Sequence, residues 1–214
     1  GNPDLRRAII QNVDARWELF PGARNVVAVS AFYKYFNEPI ERIVIAGAQP
    51  IVTFQNAESA RNFGLELEAA RQVFRHLYVA ANYTYVDSQI TLSPGQRTVQ
   101  TSLKRALAGQ SKNVFNVTTE FAAGGFNMRV LVNRYGDRIS DVGSNGAPDI
   151  IEQGRPQIDL VMSQRLGRFN LRFGADNLAD SRYNFTQGVG SVQERERTFV
   201  QGRTFSLSLG VNVF

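Results

Sequence analysis

The chain has 214 residues, a formal net charge of +5 and no cysteine. Without cysteine there is neither a disulfide framework nor a thiolate metal site, and no apolar run is long enough for a membrane-spanning helix. The positive balance is almost wholly arginine, scattered along the chain with lysine only at Lys34, Lys104 and Lys112, which argues against a nucleic-acid partner.

The opening Gly1-Asn2-Pro3-Asp4 reads as loop, carries no signal peptide and looks like a cut from a longer protein. Residues 8–20 then alternate: Val13, Ala15, Trp17 and Leu19 on one face, Asn12, Asp14, Arg16 and Glu18 on the other. Period two marks a β-strand. After the turn Pro21-Gly22-Ala23-Arg24, residues 25–36 form a second strand, with Val27, Val29, Ala31, Tyr33 and Tyr35 opposite Ser30 and Lys34. A long mixed stretch reaches about Ser59. The third strand, 60–70, sets Phe63, Leu65 and Leu67 against Asn62, Gly64, Glu66 and Glu68. A turn through Arg75 and His76 leads to the fourth, 77–87, with Leu77, Val79, Ala81, Tyr83 and Tyr85 on its apolar face.

Residues 88–111 read as loop, with one short helical turn conceivable around Leu103–Leu107. The fifth and sixth strands, 113–121 and 126–133, are joined through Ala122-Ala123-Gly124-Gly125. They carry Phe115, Val117 and Phe121, then Phe126, Met128, Val130 and Val132, with Glu120 and Arg129 on the opposite faces. Residues 134–155 are loop. The seventh strand, 156–165, and the eighth, 169–176, flank the turn Leu166-Gly167-Arg168 and place Asp159, Arg172 and Asp176 opposite Ile158, Leu160, Phe169, Leu171 and Phe173. A last long loop reaches Gly202, and the ninth strand, Phe205 to Phe214, alternates Phe205, Leu207, Leu209, Val211 and Val213 with Ser, Gly and Asn.

Short turns alternate with loops of more than twenty residues, an asymmetry of outer-membrane barrels that soluble domains avoid. One face is too polar for a buried layer, with both signs mixed; Asp14, Arg16, Glu18, Lys34, Glu66, Glu68, Arg129, Asp159, Arg172 and Asp176 are the candidates for a wet lumen. The other face is zoned. Trp17, Phe121, Phe126 and Phe169 fall near the turn end, and Tyr33, Tyr35, Phe63, Tyr83, Tyr85, Phe115 and Phe205 near the loop end, as two membrane interfaces select. The expected fold is all-β, an antiparallel transmembrane β-barrel segment of about nine strands. A soluble β-sandwich binding module, which would gather its aromatics in mid-core, is the weaker reading.

Catalysis finds little support. His76 lies in a turn with no partner base, Ser111 lacks the glycine of a nucleophile elbow, and Gly188-Val189-Gly190 has no strand and helix around it. Glu66 and Glu68 are what alternation places on a lumen wall, and Glu194-Arg195-Glu196-Arg197 reads as solvated loop. No cofactor, metal or catalytic residue is expected.

These stretches resemble the C-terminal barrel part of TonB-dependent outer-membrane receptors. Asn2-Pro3-Asp4-Leu5 resembles the family's strand opening. Ser30-Ala31-Phe32-Tyr33-Lys34 with Pro39-Ile40-Glu41, Asn62-Phe63-Gly64-Leu65-Glu66-Leu67-Glu68 and Asn82-Tyr83-Thr84-Tyr85-Val86-Asp87 resemble successive family segments, as does Asp176-Asn177-Leu178-Ala179-Asp180-Ser181-Arg182-Tyr183 before the final loop. The resemblance implies a bacterial outer-membrane barrel of about twenty-two strands, plugged by an N-terminal domain. It takes up a scarce nutrient (iron chelate, cobalamin or glycan) and receives energy from TonB through an N-terminal region missing here. Residues 1–214 would be the last nine strands, an open sheet without the plug. Outer-membrane lipid and the barrel-assembly machinery are implied partners, the latter through a terminal aromatic at Phe214. Phe214 is out of phase with Val211 and Val213; either a bulge near Gly210 restores the phase or the assembly signal is weak. A passive porin or small structural barrel is the alternative from another class.

Overall fold

The computed structural model describes residues 2–45, 48–49, 51–189 and 192–212. Gly190, Val213 and Phe214 lie outside them. The chain is nearly all strand: β1 (Ile9–Gly22), β2 (Asn25–Asn37), β3 (Ile40–Ile45), β4 (Ile51–Asn56), β5 (Ser59–Phe74), β6 (Leu77–Thr91), β7 (Asn113–Ala123), β8 (Phe126–Tyr135), β9 (Arg138–Asp141), β10 (Ile150–Glu152), β11 (Pro156–Leu166), β12 (Phe169–Asp176), β13 (Tyr183–Val189), β14 (Val192–Phe199) and β15 (Thr204–Val211), with one helical turn, α1 (Pro94–Arg97).

The nine alternating segments of the sequence form one antiparallel sheet in the order β1-β2-β5-β6-β7-β8-β11-β12-β15. The sheet is open: β1 and β15 are its edges, and among the described residues no ladder joins them. Two-residue turns connect the strands at one end. Between β7 and β8, Ala123 pairs with Phe126, and Gly124 and Gly125 both take positive φ (56° and 81°), the conformation a two-residue hairpin of matching twist demands.

Alternation is visible in exposure. Along β5, Arg61, Phe63, Leu65 and Leu67 are exposed while Asn62 and Gly64 between them are buried. Ala28, Ser30, Ala60, Ala70 and Val86 share the occluded face. The polar face is therefore the inside of the curve, where side chains crowd, and the face bearing Val29, Tyr33, Leu67, Phe115 and Leu209 is open. Among the described residues no second layer covers that apolar face. Gly64 has a packing reason: a Cβ there would lie 2.1 Å from the ring of Phe32, which crosses the inner face above it.

The long connections differ from the structureless loops expected. The stretch before Ser59 contains the hairpin β3–β4, residues 134–155 contain β9 and β10, and the last connection contains β13 and β14. β9, β10, β13 and β14 make a separate four-stranded sheet in the order β14-β13-β10-β9. These strands are short, lack a clean alternation and in part pair across large sequence separations, so a local pattern does not betray them. The 88–111 stretch opens on the end of β6, and its helical turn lies at Pro94–Arg97 instead of Leu103–Leu107. Ser93 ahead of it donates its N–H to Gln96 Oε1 (2.9 Å), part of an N-terminal cap. At the other end of the molecule, Asn170 pairs with Gly210 and Phe169 with Val211 in an unbroken ladder, so there is no bulge at Gly210.

Candidate functional site

The inner face of the sheet is predominantly polar. In one ladder row Arg16, Ser30, Glu66 and Thr84 stand side by side; the next holds Glu18, Ala28, Glu68, Asn82, Asn116 and Asn133. Arg16 links the two rows, donating to Glu68 Oε2 (2.7 Å) and Ser30 Oγ (3.2 Å) and pairing with Glu18. Asn116 donates to Asn82 (2.7 Å) and accepts from Asn133, which continues the line of polar contacts across three strands. Nearer the short turns, Glu120 accepts from Arg129 (2.9 Å) and Arg24 (3.5 Å), and Arg24 lies over the Tyr78 ring at 4.6 Å. Arg129 and Arg172 line a polar hollow of about 400 Å³ with Ser163 and Asn170. At the far end Lys34 sits 5.1 Å above the Phe32 ring. Asp14 accepts from Asn12. Asp159 takes the backbone N–H of Asn177 (2.9 Å) and a bond from Gln157 (3.1 Å), and Asp176 lies opposite Thr204 at the rim. All ten polar candidates thus fall on one face. Partly exposed ion pairs of this kind contribute little stability; their consequence is a wall of mixed charge, which gives way near the long connections to a buried apolar cluster of Ala57, Ala60, Ile90 and Leu92 packed with Phe36 and Leu107.

Above the wall the long connections pack into one body. Ile43, Ile139 and Val142 form a small apolar cluster, and Ile43 bridges Val142 directly. Buried charges tie the pieces together. Glu41 on β3 holds Arg105 through both guanidinium nitrogens (2.7 and 2.7 Å) and also accepts the N–H of Ala108. Asp141 on β9 sits between Arg42 (3.0 Å) and Arg197 (2.7 Å), so Arg197 of the expected solvated charge run is a structural strut. Glu152 accepts from Arg138 (2.8 and 3.0 Å) and from the Tyr135 hydroxyl (2.7 Å). Burial pushes Glu152 up, but the bonds from Arg138 and then Tyr135 outweigh it and hold the carboxyl below its ordinary value. Its carboxylate in turn pushes Arg138 up. Asn177, fully buried at a φ of 54°, donates to Gly202 O (2.8 Å) and accepts the N–H of Ser181 (3.0 Å). It clamps the two ends of the last connection.

The residues weighed for catalysis have structural partners. Ser111 Oγ lies 3.0 and 2.8 Å from the Asn113 and Gly136 carbonyl oxygens, between which its one proton is shared, His76 Nδ1 meets the Ala122 carbonyl at 2.8 Å, and Gly188 lies within β13.

A family model described as "TonB dependent receptor-like, beta-barrel" matches residues 1–178. The chain belongs to the TonB-dependent receptor β-barrel family. Solved structures place it within the same fold. The copper transporter OprC superposes with a TM-score of 0.69 at 19% identity, covering 98% of this chain and 33% of that one. The ferric yersiniabactin uptake receptor FyuA from Yersinia pestis gives 0.65 at 17% identity, covering 96% and 30%. A mutant ferric enterobactin receptor, PfeA from Pseudomonas aeruginosa, gives 0.63 at 20% identity, covering 99% and 32%. The chain spans about a third of the length of these receptors. No curated protein sequence matches it.

The aromatics that the sequence assigns to two zones share the open, apolar face of the sheet. Phe121 and Phe126 lie 6.3 Å apart beside their turn, their rings tilted by 55°, and Phe169 flanks the next. Tyr33 pairs with Phe63, and Tyr83 with both Leu67 and Phe115, all on the open face; Tyr85 pairs with Leu65, and Phe205 stacks on Phe173 at 6.3 Å. Trp17 shares a ladder row with Tyr83 and Phe115 through Val29 and Leu67. A row is not a level here. The row that starts at Val27, beside its turn, reaches Ile158 at the far end of β11, because the strands are staggered as a tilted barrel wall requires. Two turn-end aromatics escaped the periodic reading. Phe74 is brought opposite Leu77 by a register shift after Gln72, and Phe20 stands in a bulge after Leu19; both are exposed. A single extra residue inverts the phase, and the clustering of Phe20 and Phe74 next to their turns is the one trace it left in the sequence.

Proposed function

We propose that this chain supplies the C-terminal run of barrel strands of a longer bacterial outer-membrane receptor, one that takes up a scarce nutrient in a TonB-dependent manner. The observation that carries the reading is the two-sidedness of the sheet. Nine strands present an uncovered apolar face to hydrocarbon and a wall of paired charges and amides to a wet lumen. An open sheet leaves backbone groups unpaired at β1 and β15, which hydrocarbon does not tolerate; further strands are needed to close it. In this reading Asp14, Arg16, Glu18, Lys34, Glu66, Glu68, Arg129, Asp159, Arg172 and Asp176 line the uptake path, the aromatics mark the two interfaces, and the packed outer connections form part of the ligand-facing mouth. TonB engages through an upstream region, and the barrel-assembly machinery folds the whole.

The nutrient falls within the classes of iron chelate, cobalamin or glycan. Relatives named for ferric enterobactin, ferric yersiniabactin and copper favour a metal-bearing ligand. The test is uptake by cells carrying or lacking the full-length gene, with labelled iron supplied on a panel of chelates. Saturable uptake that requires both the gene and TonB is expected. Flux that rises in proportion to concentration and ignores TonB would overturn the receptor reading and favour a passive porin.

A further inference from the structure

The open apolar face is not smooth. Near the short turns it carries a groove of about 560 Å³ with Arg71 in its lining. Adjoining it, farther from the turns, lies a second hollow of about 340 Å³ that reaches Tyr83 and Phe115. Val27, Ala69 and Ala81 line both, and these three face one another across the ladder. The two hollows are therefore one channel along the sheet surface, floored by small side chains. Arg71 lies two positions beyond Ala69, opposite Val79, exposed and on the same face. A guanidinium on a lipid-facing surface is tolerated near an interface, where it reaches out toward headgroups.

We propose that this channel seats one phospholipid of the periplasmic leaflet, with its phosphate on Arg71 and one acyl chain lying along Ala69 and Ala81 toward Tyr83. The inference rests on the membrane reading above. Two features select the occupant. The cation stands at the end nearest the short turns, the headgroup end for a lipid of that leaflet, and a planar guanidinium takes two phosphate oxygens at once. The apolar channel leads from that cation toward the middle of the band, the direction an acyl chain follows. A glycolipid of the opposite leaflet would carry its phosphates at the other end.

The experiment is native mass spectrometry of the full-length receptor, extracted from membranes in mild detergent. One retained phospholipid per barrel is expected. Arg71→Gln and Ala81→Phe should each lower the retained fraction by on the order of tenfold, and Arg71→Lys, which keeps the charge without the fork, should fall between. Arg61→Gln is the control: Arg61 lies on the same face at the opposite end, opposite Tyr35, and the substitution should change nothing. Heat-modifiable mobility on gels reports that each variant is folded, and the Lys variant serves if the Phe variant is not. Equal retention by wild type and Arg71→Gln, no retained phospholipid in wild type, or retention of glycolipid alone would overturn the proposal. Nutrient uptake by the same variants should stay at the wild-type level. Failure of wild-type uptake would fault the receptor reading, whereas failed lipid retention with intact uptake faults only this inference.

Discussion

Arginine placed at chosen depths on the two faces tests the orientation of the sheet. Leu207 is 72% exposed and pairs with Phe173 on the apolar face. Phe173 stands four residues along β12 from Phe169 at the turn. At about 3.3 Å per residue and a tilt near 40°, that is roughly 10 Å above the turn, close to the middle of an apolar band about 25 Å tall. Leu207→Arg should therefore cost about 2–4 kcal/mol. Leu171 lies on the same face only two residues from Phe169, roughly 5 Å up, so Leu171→Arg should cost about 0–1 kcal/mol. Thr84→Arg, on the inner face opposite Glu66, should cost less than about 1 kcal/mol, since it enters water beside a carboxylate. The assay is the urea dependence of the folded fraction of the full-length receptor in phosphatidylcholine vesicles, read by heat-modifiable mobility. Equal costs for Leu207→Arg and Thr84→Arg, or a larger cost for Leu171→Arg than for Leu207→Arg, would refute the assignment of faces and depths.

Three further outcomes follow from the packing. Asn177→Ala removes the clamp between Ser181 and Gly202 and leaves alanine at a φ of 54°. It should cost about 3 kcal/mol and open residues 178–201 to protease, while Asn177→Gly, free of backbone strain, should recover about 1 kcal/mol of the loss but not the protection. Gly64→Ala forces the Phe32 ring aside and should cost about 1–3 kcal/mol; adding Phe32→Ala should restore most of it, and a double-mutant cycle showing simple additivity would contradict the contact. Glu152, held below its ordinary value near 4.5, contributes stability that is full at neutral pH and lost as pH falls through its depressed pKa. The difference in thermal stability between wild type and Glu152→Gln should accordingly shrink between pH 7 and pH 3, and a difference that stays constant would exclude the carboxylate as its source.

The nine strands of the wall were legible because each is polar on one face and apolar on the other, and period two survives without knowledge of neighbours. From Val13-Asp14-Ala15-Arg16-Trp17 to Phe205-Ser206-Leu207-Ser208-Leu209, most residues declare their side, and apolar residues on the polar face, such as Phe32 and Val86, are the exceptions. The positions of the short turns were equally plain, though not their two-residue length, so strand order in a meander followed. The phase breaks were not. The bulges that expose Phe20 and Phe74 depend on which residue of the partner strand each segment meets, and that is a property of the pair. The outer body was hidden for a stronger reason. Glu41 with Arg105, Asp141 between Arg42 and Arg197, and the parallel bridge of Ile43 to Val142 join residues tens of positions apart in segments too short to show a period. Local sequence encodes which environment a side chain prefers. Only the closed tertiary arrangement decides which distant partner satisfies it, because burying a charge or an amide is favourable only when that partner is already in place.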